Sequence, residues 1–205
     1  MNFSSPLYKI VLIGNAGVGK TSLIHSLIQR QFVEGFHATV GSSVHDWTAH
    51  TSQGDIELKI WDTAGQERYR SLAPISFRDA HAAIIVFDAS FESSPDDEVN
   101  EWIASFHSTS GSDTPVYIVA NKIDMVDQID DSETQRDMSE KRKSVTTFLN
   151  RLAEEHSCKV FTTSAKNGDN VLELFEDIAK TVAQRHPSFV MAYPVQTGGN
   201  NSKCC

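Results

Sequence analysis

Apolar stretches of strand length alternate along this chain with stretches in which apolar residues recur at helical spacing. Continuous apolar runs are typical of strands that are covered on both faces of a sheet. Such runs predict strands at 7–13, 82–87 and 116–120, and a weaker one at 159–163. Strict alternation at 56–61, after turn residues at 52–55, predicts an antiparallel hairpin that starts near Val44.

Segments in which apolar residues recur at helical spacing follow most of the predicted strands. They lie at 22–28, near 97–107, near 141–155 and at 171–182, and Asn170 and Glu173 form the pattern of a capping box before the last one. Strands that alternate with helices favour a parallel sheet. The expected fold class is α/β: a mostly parallel six-stranded sheet with one antiparallel edge strand and helices on both faces. Ligands of such sheets bind beyond the carboxyl ends of the strands.

Composition fits one main domain and excludes several classes of protein. The 205 residues are 40% hydrophobic, which is enough for a sizeable core. A net charge of -9 without a long basic block argues against a protein that binds nucleic acid. The sequence has neither an apolar run long enough for a membrane span nor a secretory signal, and its three cysteines do not form a disulfide framework. A cytosolic location is therefore expected.

The sequence GNAGVGKT at 14–21 matches the phosphate-binding motif G-x-x-x-x-G-K-[ST] in full. It lies between a predicted strand and a predicted helix, which is the context that this motif requires. Its glycines let backbone N–H groups turn towards an anion, and the helix directs its positive dipole end at the same phosphates. We expect Lys20 to reach the β- and γ-phosphates and Thr21 to bind Mg²⁺, as in a P-loop NTPase. The predicted nucleotide-binding residues here are Asn15, Ala16, Gly17, Val18, Gly19, Lys20, Thr21 and Ser22.

A second motif, DTAGQE at 62–67, follows the second strand of the hairpin. Asp62 is placed to hold Mg²⁺ directly or through a water, and Gly65 can bring a backbone N–H to the γ-phosphate because it has no Cβ. Gln66 can orient the attacking water. Judged alone, the hexapeptide also fits an ordinary loop of small polar residues.

The sequence NKID at 121–124 ends another buried strand and can read a purine base. The Asp124 carboxylate can accept hydrogen bonds from N1–H and the 2-amino group of guanine, whereas adenine offers neither donor. A mismatch of this kind can reject the wrong base by roughly 10⁴-fold or more. The predicted site residues in this motif are Asn121, Lys122 and Asp124.

Ser164, Ala165 and Lys166 follow the last predicted strand. The Ala165 N–H can donate to guanine O6, and Lys166 can cover the face of the ring. Taken alone, the tripeptide fits a turn of small residues better than a binding site.

Together, these motifs resemble those of small GTPases of the Ras superfamily, over about 7–185. The sequence LKIWDTAGQERYRSL at 58–72, with Cys204 and Cys205 at the end of the chain, resembles the Rab branch. The resemblance implies that Thr39 closes on Mg²⁺ and the γ-phosphate, and that Phe32 packs edge-on against the guanine ring. The ligands implied are GTP and GDP. The catalytic residues expected are Lys20, Thr39 and Gln66, and the expected Mg²⁺ ligands are Thr21, Thr39 and Asp62.

The chain departs from the Rab pattern in three places. The segment VGSSV at 40–44 lacks the acid and the aromatic residue that usually follow the loop threonine. The segment SFRDA at 76–80 stands where Rab proteins have a tyrosine pair followed by Arg-Gly-Ala. Both departures are expected to alter the surface that partners recognise. A polar insertion of roughly a dozen residues near 128–143 is expected on the surface, or is a disordered segment without a role. Ala16 stands where Ras proteins have glycine. It either crowds Gln66 or has no effect, since other family members accept small side chains there.

Slow hydrolysis is expected because no charge-stabilising arginine is evident. In heterotrimeric G-protein α subunits an arginine precedes the loop threonine, whereas this chain has Phe-His-Ala at 36–38. We expect an intrinsic turnover on the order of 10⁻³ per second or lower, accelerated by an activating protein that supplies an arginine. One alternative is a P-loop kinase or ATPase, which has no use for the motif at 121–124. The other is a nucleotide-binding scaffold that does not hydrolyse GTP.

The expected domain organisation is a GTPase domain at 1–186 and a flexible tail at 187–205 that is rich in Pro, Gly, Asn, Ser and Thr. The Rab resemblance implies geranylgeranyl groups on Cys204 and Cys205, and two such chains give stable membrane anchoring. It also implies partners: a guanine-nucleotide exchange factor, a GTPase-activating protein, effectors, and prenyl-transfer escort and membrane-extraction proteins. The expected location is the cytosolic face of an internal or plasma membrane, with a soluble pool.

Overall fold

The computed structural model describes residues 7–30, 39, 41–52, 54–65, 73–127 and 135–187. The strands, in chain order, are β1 (Leu7–Ile13), β2 (Ser42–Thr51), β3 (Gly54–Thr63), β4 (Ala82–Asp88), β5 (Val116–Asn121) and β6 (Lys159–Thr162). The helices are α1 (Lys20–Gln29), α2 (Ala73–Phe77), α3 (Asp96–Ser110), α4 (Ile123–Asp127), α5 (Gln135–His156) and α6 (Val171–Arg185).

The strands form a single six-stranded sheet in the order β2-β3-β1-β4-β5-β6. β2 runs antiparallel to β3, and the other neighbouring pairs are parallel. Leu58 and Ile60 of β3 are fully buried, as the alternation at 56–61 predicts. The predicted fold class is therefore confirmed, including the antiparallel edge strand.

Apolar side chains cover both faces of the sheet because consecutive residues of a strand point to opposite sides. On β1, Ile10 and Leu12 belong to the core that packs against α1 and α6. Val11 and Ile13 belong to the second core, which packs against α2, α3, α4 and α5. This two-sided packing is the physical reason for the continuous apolar runs in the sequence.

Three details differ from the sequence prediction or add to it. The five-residue helices α2 and α4 were not predicted. Helix α5 begins at Gln135 and so takes in the second half of the predicted insertion, while 128–134 lie outside the described residues. The predicted capping box is wrong: Asn170 has φ 56° and its side-chain amide donates to the Thr162 carbonyl at 2.9 Å instead of capping α6.

The parallel register brings the predicted motifs to one edge of the sheet. Leu12 of β1 pairs with Asp62 of β3, and Asp88 of β4 pairs with Asn121 of β5. The phosphate-binding loop, the DTAGQE segment and the base-reading segment therefore start side by side at the carboxyl ends of their strands. Among the helices of the described residues, none combines the length and the apolar character that a membrane crossing requires.

At the opposite edge of the sheet, His81 links the start of β4 to β1. The Lys9 N–H donates to His81 Nδ1 at 3.0 Å, so the neutral ring carries its proton on Nε2. The His81 ring meets the rings of Tyr8 and His186 edge-on, at centroid distances of 5.3 and 5.0 Å. Burial and the neighbouring His186 lower the pKa of His81, opposed by the charge of Asp79.

We expect this arrangement to make the protein less stable as pH falls through the ordinary histidine pKa. The unfolded chain binds a proton at His81 there, whereas the folded chain with its lowered pKa does not, so acidification favours unfolding. His81→Asn should reduce the loss of melting temperature between about pH 8 and about pH 5.5, because asparagine Oδ1 can accept the Lys9 N–H without titrating. His50→Asn on the exposed hairpin is the control. Equal pH dependence of the wild type and His81→Asn would contradict the prediction.

Candidate functional site

The phosphate-binding loop is shaped by contacts that leave no room for side chains at two glycines. Gly19, at the start of α1, has φ 96°, and a Cβ there would lie 2.3 Å from Asn121 Nδ2. Gly65 approaches the loop so closely that a Cβ would lie 2.4 Å from the Asn15 carbonyl oxygen and 2.5 Å from Lys20 Nζ. The loop, the DTAGQE segment and the base-reading segment therefore form one site.

Lys20 is the buried cation of this site. Its side chain is 6% exposed, and Nζ donates to the carbonyl oxygens of Gly14 at 2.7 Å and Asn15 at 2.8 Å. Burial lowers the pKa of Lys20 to about 8, although the carboxylates of Asp62 and Glu98 oppose this shift. An anionic ligand stabilises an ammonium that has lost its hydration. The attraction between the two opposite charges is strong here because little water lies between them.

Three oxygen-bearing side chains converge beside Lys20. The Thr21 hydroxyl donates to Asp62 Oδ2 at 2.5 Å and lies 2.8 Å from the Thr39 hydroxyl oxygen. Asp62 is fully buried, and its Oδ1 has no hydrogen-bond partner among the described residues. Burial raises the pKa of Asp62 despite the Thr21 hydrogen bond. A buried carboxylate with an unsatisfied oxygen next to two hydroxyls fits a hard divalent cation such as Mg²⁺.

Asn121 connects the phosphate-binding loop to the loop that follows β6. Its side-chain amide donates to the Val18 carbonyl at 2.9 Å. Its Oδ1 accepts hydrogen bonds from the Thr163 hydroxyl and from the Ala165 N–H, both at 3.1 Å. Asn121 and Thr163 are fully buried. Asn121 therefore holds the two loops in a fixed relation to each other.

The Asp124 carboxylate lies in the first turn of α4 and is held by Ser164. The Ser164 hydroxyl donates to Asp124 Oδ1 at 2.6 Å and accepts the Asn167 N–H at 3.1 Å. Asp124 is 6% exposed. Lys166 is exposed on the same turn, and Lys122 forms an ion pair with Asp88. The acceptor thus has a fixed orientation at the edge of the sheet, as the recognition of a base requires.

Known proteins match this chain over most of its length. A family model described as the Ras family matches residues 9–184. The chain belongs to the Ras family. Ras-related protein Rab-5A of Dictyostelium discoideum is 34% identical over 205 residues, which cover 97% of this chain and 95% of that protein. Ras-related protein RABF2a of Arabidopsis thaliana is 34% identical over 96% of this chain and 94% of its own length, and GTP-binding protein YPT52 of Saccharomyces cerevisiae is 32% identical over 96% and 91%. The chain is a Rab-type small GTPase whose ligands are GTP and GDP.

Four of the predicted site residues of this Ras-family GTPase lie outside the described residues. They are Phe32, Gln66, Cys204 and Cys205. Their roles, and the effect of Ala16 on Gln66, stay predictions. The other predicted nucleotide and metal residues lie in the phosphate-binding loop and the first turn of α1, at Thr39 and 62–65, and at the carboxyl ends of β5 and β6, and their roles stay predictions.

Sequence reasoning missed two polar residues of this region, Thr163 and Asp88. Thr163 belongs to none of the recognised motifs. Its contact with Asn121 depends on how β6 packs beside β5, which the sequence does not show. Asp88 is the last residue of β4 and Asp62 is the second-last residue of β3, so the reasoning that identified Asp62 could also have identified Asp88.

The altered segments of this GTPase are exposed only in part. In 76–80, Ser76 and Phe77 are buried, and the Phe77 ring packs edge-on against Phe106 at 5.5 Å. The exposed positions of this segment are Arg78 and Asp79, with Ala80 half-buried, so the altered surface is confined to them. On β2, the valine at position 44 is 43% exposed, so the lost aromatic residue does change the surface there.

Proposed function

We propose that this Rab-type GTPase is a GTP-dependent switch that regulates intracellular vesicle and membrane traffic. The observation that carries the guanine assignment is the buried Asp124 carboxylate, oriented by Ser164 and linked through Asn121 to the phosphate-binding loop. Membership of the Ras family, with Rab relatives over most of the chain, supports the role in traffic.

In this proposal, the base is selected by the donors that it presents. Asp124 accepts hydrogen bonds from N1–H and the 2-amino group of guanine. The Ala165 N–H, which donates to Asn121 Oδ1 at 3.1 Å in this structure, would be shared with guanine O6. Adenine would leave the buried carboxylate unpaired, which is costly because a buried charge without partners has lost its hydration. Lys166 is exposed, and in this proposal its side chain covers the face of the ring. The role of Phe32 at the guanine ring follows from the family pattern, and Lys122 is assigned to the nucleotide site as part of the same motif as Asp124.

The phosphates are bound by the backbone N–H groups of 15–19, by Lys20 and by the amino end of α1, with Ser22 in its first turn. Lys20 is prepared for this role because the Gly14 and Asn15 carbonyls hold its ammonium before a ligand arrives. Gly65 lies close to Lys20, since a Cβ at this position would meet Lys20 Nζ, and its N–H would donate to the γ-phosphate. Such pre-oriented donors stabilise phosphate charge without reorganisation during the reaction.

Thr21, Thr39 and Asp62 are the residues that would hold Mg²⁺. When bound, Mg²⁺ neutralises negative charge on the β- and γ-phosphates. Asp62 contributes its charge in a fully buried position, and Thr21 fixes one of its two carboxylate oxygens. The remaining oxygen, without a partner among the described residues, supports the assignment of this group to a cation.

For hydrolysis, Gln66 orients the attacking water while Lys20 stabilises charge on the transferred phosphoryl group. The Phe-His-Ala sequence at 36–38 supplies no arginine to complete this stabilisation. An activating protein therefore provides the arginine in trans.

Single-turnover hydrolysis tests this proposal. We expect the purified chain to hydrolyse bound GTP at a rate on the order of 10⁻³ per second or lower, and an arginine-supplying activating protein to raise that rate by about 10³- to 10⁵-fold. A fast intrinsic rate would contradict the need for an external arginine. Complete absence of hydrolysis, even with an activating protein, would favour the nucleotide-binding scaffold, which no observation favours at present. Displacement of bound nucleotide by ATP would contradict guanine selectivity.

Switching follows from the contacts of Thr39 and Gly65 with the γ-phosphate. When GTP is bound, these contacts tether two loops, and hydrolysis releases both. Effectors and the activating protein recognise the tethered form, and an exchange factor restores it by releasing GDP. Three exposed residues in the altered segments change which effectors bind, compared with other Rab proteins. They are Val44 on β2, Arg78 and Asp79.

Membrane attachment is assigned to Cys204 and Cys205, at the end of the proposed tail at 187–205. Geranylgeranyl groups on both thiols would anchor the chain to the cytosolic face of a membrane, and escort and extraction proteins would maintain a soluble pool. Intact-mass measurement of protein purified from its own cells checks this assignment. Two added isoprenoid masses are expected, and an unmodified tail would contradict it.

A further inference from the structure

An ion pair joins the carboxyl ends of β4 and β5, next to the base-reading segment. Lys122 Nζ lies 2.8 Å from Asp88 Oδ2, and each side chain is 31% exposed. Asp88 and Asn121 are register partners in the two strands, so the pair lies one residue from the amide that links the two loops of the site. The sequence motif that contains Lys122 does not include Asp88.

The Asp88 carboxylate has a fixed orientation. Its Oδ1 accepts hydrogen bonds from the Ser90 backbone N–H at 2.9 Å and from the Ser90 hydroxyl at 2.7 Å. Burial disfavours the charged carboxylate, but the hydrogen bonds from Lys122 and Ser90 outweigh burial and lower the pKa of Asp88. Oδ2 is therefore an anionic acceptor that is held in one place and directed at Lys122.

The backbone around Lys122 is fixed as well. Lys122 has φ 65°, a left-handed conformation that is uncommon for a residue with a side chain. The carbonyl of the preceding Asn121 accepts the Ala89 N–H at 2.7 Å, and the N–H of the following Ile123 donates to the Thr163 carbonyl at 3.1 Å. With its backbone held on both sides, the remaining freedom of Lys122 lies in its long side chain, and Asp88 restrains the end of that side chain.

We propose that Asp88 is a positioning residue of the nucleotide site, which holds the Lys122 ammonium in its binding position before the nucleotide arrives. The inference rests on the proposed assignment of Lys122 to the nucleotide site. A free lysine side chain has large rotamer entropy, and a ligand that immobilises it loses affinity. Asp88 removes this loss in advance. It engages one of the three N–H donors of the ammonium and leaves the other two for the ligand.

The release of a fluorescent GDP analogue from the full chain in the presence of Mg²⁺ measures this effect. Asp88→Asn keeps an acceptor for Ser90 but removes the charge that attracts Lys122. We expect GDP release from Asp88→Asn to be about 3- to 10-fold faster than from the wild type. Asp88→Glu, which restores the charge, should recover part of the difference. Asp177→Asn is the matched control, because it breaks a similar pair with Lys159 Nζ at 2.6 Å, far from the nucleotide site.

A double-mutant cycle separates positioning from a purely structural role. If Asp88 acts through Lys122, Asp88→Asn should change GDP release by less than about 2-fold when Lys122→Ala is already present. An equal acceleration in both backgrounds would overturn the inference, as would an unchanged rate. Slower release from Asp88→Asn would also overturn it, since Asp88 would then compete with the nucleotide for Lys122. Failure of the wild type to retain GDP would overturn the proposed function itself.

Discussion

Asp124→Asn should lower the affinity of this GTPase for GDP by roughly 10²- to 10⁴-fold and raise its affinity for xanthosine diphosphate. The carboxylate can accept both hydrogen bonds that guanine offers, whereas a carboxamide directs its own N–H groups at the 2-amino group. Xanthine carries a carbonyl oxygen at that position, so the introduced carboxamide would donate to this oxygen while its own oxygen accepts N1–H. Ser164, which donates to Asp124 Oδ1 in the wild type, can keep this hydrogen bond in the variant.

Competition titrations with GDP, xanthosine diphosphate and ADP measure this change. Asp55→Asn, at an exposed position of the hairpin, replaces the same chemical group and should leave all three affinities unchanged. The melting temperature of each variant separates a loss of recognition from a loss of folding. Undiminished GDP affinity in Asp124→Asn, or equal binding of ADP by the wild type, would contradict the assignment of Asp124 as the base-reading residue.

The fold could be predicted to the extent that its strands are buried on both faces. β1 was predicted at 7–13 and is observed at Leu7–Ile13, because Tyr8 and the residues at 10–13 are buried in one core or the other. Helices α2 and α4 were missed because five residues contain too few apolar repeats to reveal a helical period. The prediction of a capping box was wrong for a different reason. The Asn170 side-chain amide donates to the Thr162 carbonyl at the end of β6, a partner that local sequence cannot reveal.

The site could be predicted where a motif sets local geometry, and not where packing decides. Lys20, Thr21 and Asp62 were assigned from motifs, and the parallel sheet brings those motifs to one edge. The hydrogen bond from Asn121 to the Val18 carbonyl spans 103 positions of the chain and depends on the order of β1, β4 and β5. The pairing of Asp88 with Lys122 depends on the same strand order.

Lys20→Met should lower the affinity for GDP and GTP by roughly 10²-fold or more, with the larger loss for GTP. Lys20 is 6% exposed and is assigned to the β- and γ-phosphates, so its removal takes a desolvated positive charge from the most highly charged part of the ligand. Methionine is unbranched and of similar length, so it fills the same space and preserves packing around the loop. Binding of GMP should change little, because the base-reading Asp124 is untouched.

Lys159→Met on β6 is the control for this substitution. Lys159 forms an ion pair with Asp177 at a half-exposed position, so its loss should cost at most about 1 kcal/mol of stability and leave nucleotide affinity unchanged. Titrations with GMP, GDP and GTP then separate the two parts of the site. If Lys20→Met bound GTP as tightly as the wild type, the phosphates would not lie beside Lys20. If GMP affinity fell as far as GTP affinity, the substitution would have disrupted the whole site, because loss of the phosphate contact alone leaves base recognition intact.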